Sequence, residues 1–100
     1  MGDIMSDLIE IIKETVNCDD TIFFLVDEWH RGNKSMESGT ILYKTDKYVS
    51  VLYLSGYRSR NDDIPYNDIY GRLDLTKPWV SIPGWSGHIH LLQPIQDESN

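Results

Sequence analysis

Apolar residues near the start of the chain recur at Ile4, Leu8, Ile11, Ile12 and Val16. Spacings of three and four gather them on one face of a helix, predicted over 4–17. Asp7, Glu10, Lys13 and Glu14 fall elsewhere on its circumference. Asp3 or Ser6 supplies the cap, acidic first turns suit the helix dipole, and Asn17-Cys18-Asp19-Asp20 ends the rhythm. A helix with one apolar stripe needs an apolar surface to lie on.

That surface is predicted from 21–29, where Thr21-Ile22-Phe23-Phe24-Leu25-Val26 is apolar at consecutive positions and rich in β-branched and aromatic residues, the mark of a strand covered on both faces. A polar stretch from Arg31 to Gly39 reads as a loop. Strands follow over 40–45 and 47–55, joined by a short hairpin at Thr45-Asp46-Lys47, so the first three strands form an antiparallel meander. Residues 56–68, with Arg58, Arg60, Asn61, Asp62, Asp63, Pro65 and Asn67, lack periodicity and read as a long surface loop. Further strands are predicted over 69–75, 78–82 and 88–92. Pro78 and Pro83 mark the second of these as an edge strand, and Gly84-Trp85-Ser86-Gly87 as the turn before the last. The expected fold is α+β in a single domain over 1–100: an N-terminal amphipathic helix packed on a curved antiparallel sheet or small partly open barrel of five or six strands.

Composition narrows the function classes. With 100 residues, 40% of them hydrophobic, the chain suffices for one compact core. Sixteen acidic residues against nine basic ones give a net charge of -7, so nucleic acid and anionic membrane surfaces are repelled, and the expected partner is a protein with a basic or neutral surface. Cys18 stands alone, which excludes an intrachain disulfide; with an N-terminus lacking a basic region and an apolar run, this points to a cytoplasmic setting. Met1 and Met5 are both possible native starts. A homodimer is one option for the assembly.

Few residues offer catalytic chemistry. His88 and His90 are two apart on a predicted strand, about 6.6 Å along it, and two such side chains can converge on a metal. His30 would be a third ligand, and Asp27, Glu28 or Asp74 a fourth. The plainer reading puts both histidines on a solvent face while Ile89 and Leu91 point inward. Cys18 beside Asp19 and Asp20 is in the wrong field for a reactive thiolate. Ser86 lacks a nucleophile-elbow context, no phosphate-binding glycine loop is present, and no cofactor is expected.

The residues that suggest binding are carboxylates and aromatics. Asp62 and Asp63 in the predicted loop, with Tyr57, Tyr66 and Trp85, have the makeup of a protein-binding face, aromatic anchors with a charged rim. Trp85, flanked by glycines, is expected to be accessible. These features suggest a small acidic non-enzymatic protein that occludes a surface of a partner, in the physical style of inhibitors, immunity proteins and counter-defence proteins. An alternative is a small-molecule or nucleotide-sequestering protein using Arg58, Arg60 and Tyr70, and a further one is a metal-dependent enzyme using His88 and His90.

Overall fold

The computed structural model describes residues 4–27, 34–82 and 85–94. Helix α1 spans Ile4–Thr15, two residues short of the expected end. Its final carbonyls, which have no partner within the helix, are taken by a lysine from elsewhere in the fold. Lys44 Nζ donates to the carbonyl oxygens of Lys13 and Val16, both at 2.6 Å, and its charge suits the negative end of the helix dipole. Asp19 then takes a positive φ of 73°, which a short polar side chain tolerates, and the Asp20 carboxylate accepts a bond from Asn17 N at 2.8 Å as the chain turns into the first strand.

The strands are β1 (Thr21–Asp27), β2 (Lys34–Lys44), β3 (Tyr48–Ser55), β4 (Arg58–Pro65), β5 (Ile69–Leu73), β6 (Trp79–Ile82) and β7 (Trp85–Leu91), with a 3-10 turn at Tyr66–Asp68. They form one open, wholly antiparallel sheet in the order β4-β3-β2-β1-β5-β7-β6. The meander of the first three strands is present. The sheet stays open instead of closing into a barrel, and it has seven strands where five or six were expected.

The difference comes from segments whose polarity masks their backbone pairing. Residues 34–39, expected within a loop, pair one by one with the apolar β1, from Asp27↔Lys34 to Ile22↔Gly39. Residues 58–65, also expected in a loop, form β4, matched to β3 without a bulge from Ser55↔Arg58 to Tyr48↔Pro65. Gly56 at φ 66° and Tyr57 make the two-residue turn between them, and a glycine at positive φ in the first turn position is the type II′ arrangement that suits strand twist. Residues 85–87 of the expected turn also belong to the sheet: Trp85, Ser86 and Gly87 pair with Ile82, Ser81 and Val80. Strand β6 lies at an edge, as its flanking prolines suggested.

Side-chain alternation gives the sheet two unequal faces. One carries Ile22 and Phe24 of β1, Ile41 of β2, Val49, Val51 and Tyr53 of β3, Ile64 of β4 and Ile69 of β5, packed with Ile12 of α1 and Val16 just after it. The other carries a smaller cluster of Phe23, Trp85 and Ile89 with Met36, Tyr70, Val80 and Ile82. β1 is thus apolar on both sides because it is covered on both sides. Beyond the small cluster the second face is open, and Leu52 and Leu54 are exposed on it.

Candidate functional site

Strand β4 is held in place by the core beneath it. Its Ile64 is buried opposite Val49, and its Asn61 Nδ2 donates to Ser50 Oγ at 2.9 Å and to the Val51 carbonyl at 3.0 Å. Arg60 lies opposite Tyr53 and Asp62 opposite Val51, so both side chains rise on the face of the main core. The Tyr53 hydroxyl donates to Asp62 Oδ2. Tyr53 is itself fixed by an edge-to-face contact with Phe24, ring centroids 5.3 Å apart at 82°. The core therefore positions Asp62 through one aromatic pair and one hydrogen bond.

Arg60 Nη2 is 3.9 Å from Asp62 Oδ2, at the outer limit of an ion pair and half exposed, so the pairing contributes little. These residues border a cleft of about 400 Å³ lined by Leu25 and Val26 of β1, Arg60, Asp62, Asp63, Ile64 and Pro65 of β4, and Asp68 of the 3-10 turn. Two carboxylates, Asp62 and Asp68, and the Arg60 guanidinium border a floor that includes Val26 and Ile64, which is the chemistry of a recess for a cationic, partly aliphatic group such as a lysine or arginine side chain. Asp62 and Asp63, singled out in the sequence as a loop pair, are neighbours on a strand. By alternation their side chains leave opposite faces of the sheet, the Asp62 carboxylate on the side of the cleft and the Asp63 carboxylate on the other, so they form no chelating pair.

Burial, and then the bond to the Asp62 carboxylate, push the Tyr53 phenol up to about 12. The phenol stays protonated over the ordinary pH range and keeps donating to Asp62. Because the folded-state value is raised above the unfolded one, the stabilisation is complete below about pH 10 and is lost as pH climbs through about 12. An alkaline titration of phenolate absorbance should therefore show a late phase that loses one tyrosine in Tyr53→Phe; an unchanged late phase in the variant would refute the assignment.

The other expected binding residues are dispersed. Tyr57 is fully exposed at the β3–β4 turn. Tyr66 is buried at 2% exposure and donates its hydroxyl to the Thr45 carbonyl at 2.5 Å, so it is a core residue and not a contact residue. Trp85, expected to be accessible, is 8% exposed: its ring meets Phe23 edge-on at 5.5 Å and lies 6.3 Å from Tyr70, because the second face needs a lid over Phe23. The exposed tryptophan among the described residues is Trp79, 64% accessible on the edge strand β6.

The alternative sites are not assembled. Arg58 and Arg60 share a face of β4, whereas Tyr70 belongs to β5 and to the cluster on the opposite side of the sheet. His88 and His90 point away from the Trp85–Ile89 side of β7, His90 opposite Arg72 and His88 opposite the exposed Trp79, and both are half-buried. Ile89 does point inward, but Leu91 is 42% exposed. His88 Nδ1 is 2.7 Å from the Lys77 carbonyl and stacks edge-on against Trp79 at 5.6 Å. Among the described residues no three His, Cys, Asp or Glu side chains come together to hold a metal. His30, Glu28 and Trp29 lie outside the described residues, and Cys18 is exposed in the turn after α1.

Arg72, not singled out in the sequence, and Asp74, considered there only as a metal ligand, bear on the fold. Arg72 spans two carboxylates, Asp20 at 3.5 Å and Asp74 at 3.6 Å. Bonds from the Thr76 hydroxyl and amide hold the Asp74 carboxyl below its usual range. No helix among the described residues is long and apolar enough to cross a membrane. Compared with protein-family models, with curated proteins and with solved structures, the chain matches none.

Proposed function

We propose that the protein is a small acidic binding module, not an enzyme, that occludes a basic surface of a partner protein, inserting a cationic side chain of that partner into the cleft beside β4. The observation that carries this reading is the cleft, where Asp62 and Asp68 border a floor that includes Val26 and Ile64. Net charge supports it in the same direction: at -7 the whole molecule attracts a basic partner from a distance, which accelerates encounter more than it deepens affinity. Tyr57, projecting fully from the adjacent turn, is the aromatic group best placed to flank the contact.

The test separates local charge from net charge. The tagged protein is used to recover a basic partner, and the association rate is then measured against ionic strength for two double variants of equal charge change. Asp62→Lys with Asp68→Lys should slow association about tenfold or more. Glu10→Lys with Glu14→Lys, on the exposed side of α1, should slow it distinctly less. Equal effects from both would mean that the cleft has no special part in recognition.

A further inference from the structure

The outer edge of β4 is the second surface that invites a partner. β3 pairs with β4 along all eight of its residues, and in the strand order nothing among the described residues pairs with its other side. The opposite edge, β6, is four residues long and bracketed by Pro78 and Pro83, a common protection against strand addition. β4 has no bulge, and its only proline is the last residue, Pro65. Its row of backbone donors and acceptors is therefore a template for one more strand. Charged side chains guard such an edge against a random strand, but here they are arranged in an order that matches its own reverse.

We infer that two copies of the chain associate by antiparallel pairing of β4 with β4, with Asn61 on the two-fold axis. In a continuous sheet, residues that face each other across a ladder share a face, so a two-fold pair can be centred only on a residue or moved in steps that preserve the alternation. Centred on Asn61, Arg60 of each copy faces Asp62 of the other, twice over, on the main-core face. Ser59 faces Asp63 of the other copy on the second face, a hydroxyl donor against a carboxylate. Arg58 faces Ile64 and lies diagonally within reach of the other copy's Asp62. Asn61 puts no charge on the axis, and its Nδ2 is already bonded to Ser50 and Val51. Moving the centre to Arg60 sets arginine against arginine on the axis, though Arg58 then faces Asp62, and moving it to Asp62 sets aspartate against aspartate, so of these three registers only the Asn61 centre pairs opposite charges with no like charges face to face.

The side chains that this pairing uses are available for it. Arg60 has only the long 3.9 Å contact with Asp62, and Arg58 is exposed with no ion pair among the described residues. The inference goes beyond the partner-binding reading and does not rest on it. It would place two clefts on one face, on either side of the axis. Each idea has its own readout: mass for the dimer, and charge-dependent association with a basic protein for the cleft.

The experiment is sedimentation of the whole chain over a range of concentrations, for the wild type, for Arg60→Asp and for Asp62→Arg. The wild type should show a reversible monomer–dimer equilibrium. Either variant alone places like charges face to face across the axis, and its dimer dissociation constant should rise about tenfold or more. Mixing the two variants restores opposite charges at both positions, so the mixture should form a heterodimer at least as tight as the wild type. Circular dichroism checks that each variant is folded. Should Asp62→Arg fail to fold, because Tyr53 loses its acceptor, amide exchange of the wild type decides: protection should rise with protein concentration within residues 58–64 and not in β6. A wild type that stays monomeric, variants that dimerise as well as it does, a mixture of folded variants that does not associate, or protection that ignores concentration would each overturn the inference.

Discussion

Replacing Phe24 with alanine should destabilise the protein by about 3–5 kcal/mol, the range for emptying a fully buried aromatic site. Phe24 has no exposed surface and sits in the central strand, in the cluster that joins α1 to the sheet. A domain of this size has a total stability of about 5–15 kcal/mol, so one such change removes a large share of it. Each kcal/mol lowers the melting temperature of a domain of this size by about 4–8 °C, so the shift should be easily measured. The effect should also reach the cleft. Phe24 supports the ring of Tyr53, and Tyr53 holds Asp62, so the variant should bring forward the late ionisation of Tyr53 as its environment opens. Chemical denaturation gives the first quantity and phenolate absorbance the second. A loss below about 1 kcal/mol would contradict the assignment of Phe24 to the centre of the core.

The second large effect is expected at Gly39, in the part of β2 whose sequence reads as a loop. A Cβ at this position would lie 2.6 Å from the Leu52 carbonyl oxygen, 2.7 Å from Tyr53 Cβ and 2.7 Å from Val51 Cγ1. The nearest atom is backbone, so relief requires β2 and β3 to separate and not merely a side chain to rotate. Gly39 faces Tyr53 in one ladder and Ile22 in the other, which places it between the two strands that build the main core. Gly39→Val should therefore cost about 1–3 kcal/mol or more, the overpacking range, even though valine is a better strand former than glycine. If 34–39 were a loop, as its polarity suggests, the same change would be close to neutral. Equilibrium denaturation distinguishes the two.

Hydrophobic rhythm made α1, β1 and the meander legible because each of them puts apolar side chains into a core on a regular period. β4 was hidden for the opposite reason. Of its eight residues only Ile64 is buried, so backbone pairing holds the strand with hardly any help from hydropathy. One local signal does mark it: Gly56-Tyr57, directly after the strand that ends at Ser55, is a two-residue hairpin turn that commits the next residues to pairing. The segment 34–39 carried no such mark, and its strand character comes from lying against β1, a tertiary effect.

At the site, Asp62 and Asp63 were legible as a charge cluster and Tyr57 as an exposed aromatic. The burial of Tyr66 and Trp85 was not legible. A tyrosine in a Pro-Tyr-Asn-Asp turn and a tryptophan between two glycines have no periodic partners in sequence, and their rings are buried by strands distant along the chain. Asp68, in the 3-10 turn after β4, and Val26, in β1, line the cleft through the tertiary fold, and no spacing rule contains that information.

The central claim is that the cleft beside β4 recognises cationic side chains of a protein. The most direct measurement is an amide chemical-shift titration of the isotope-labelled protein with a short arginine-rich peptide at low ionic strength. The account predicts shifts concentrated at residues 58–68 and at Leu25 and Val26, abolished by high salt and by Asp62→Lys with Asp68→Lys. Shifts centred on the acidic side of α1, or spread evenly over the surface, would contradict it.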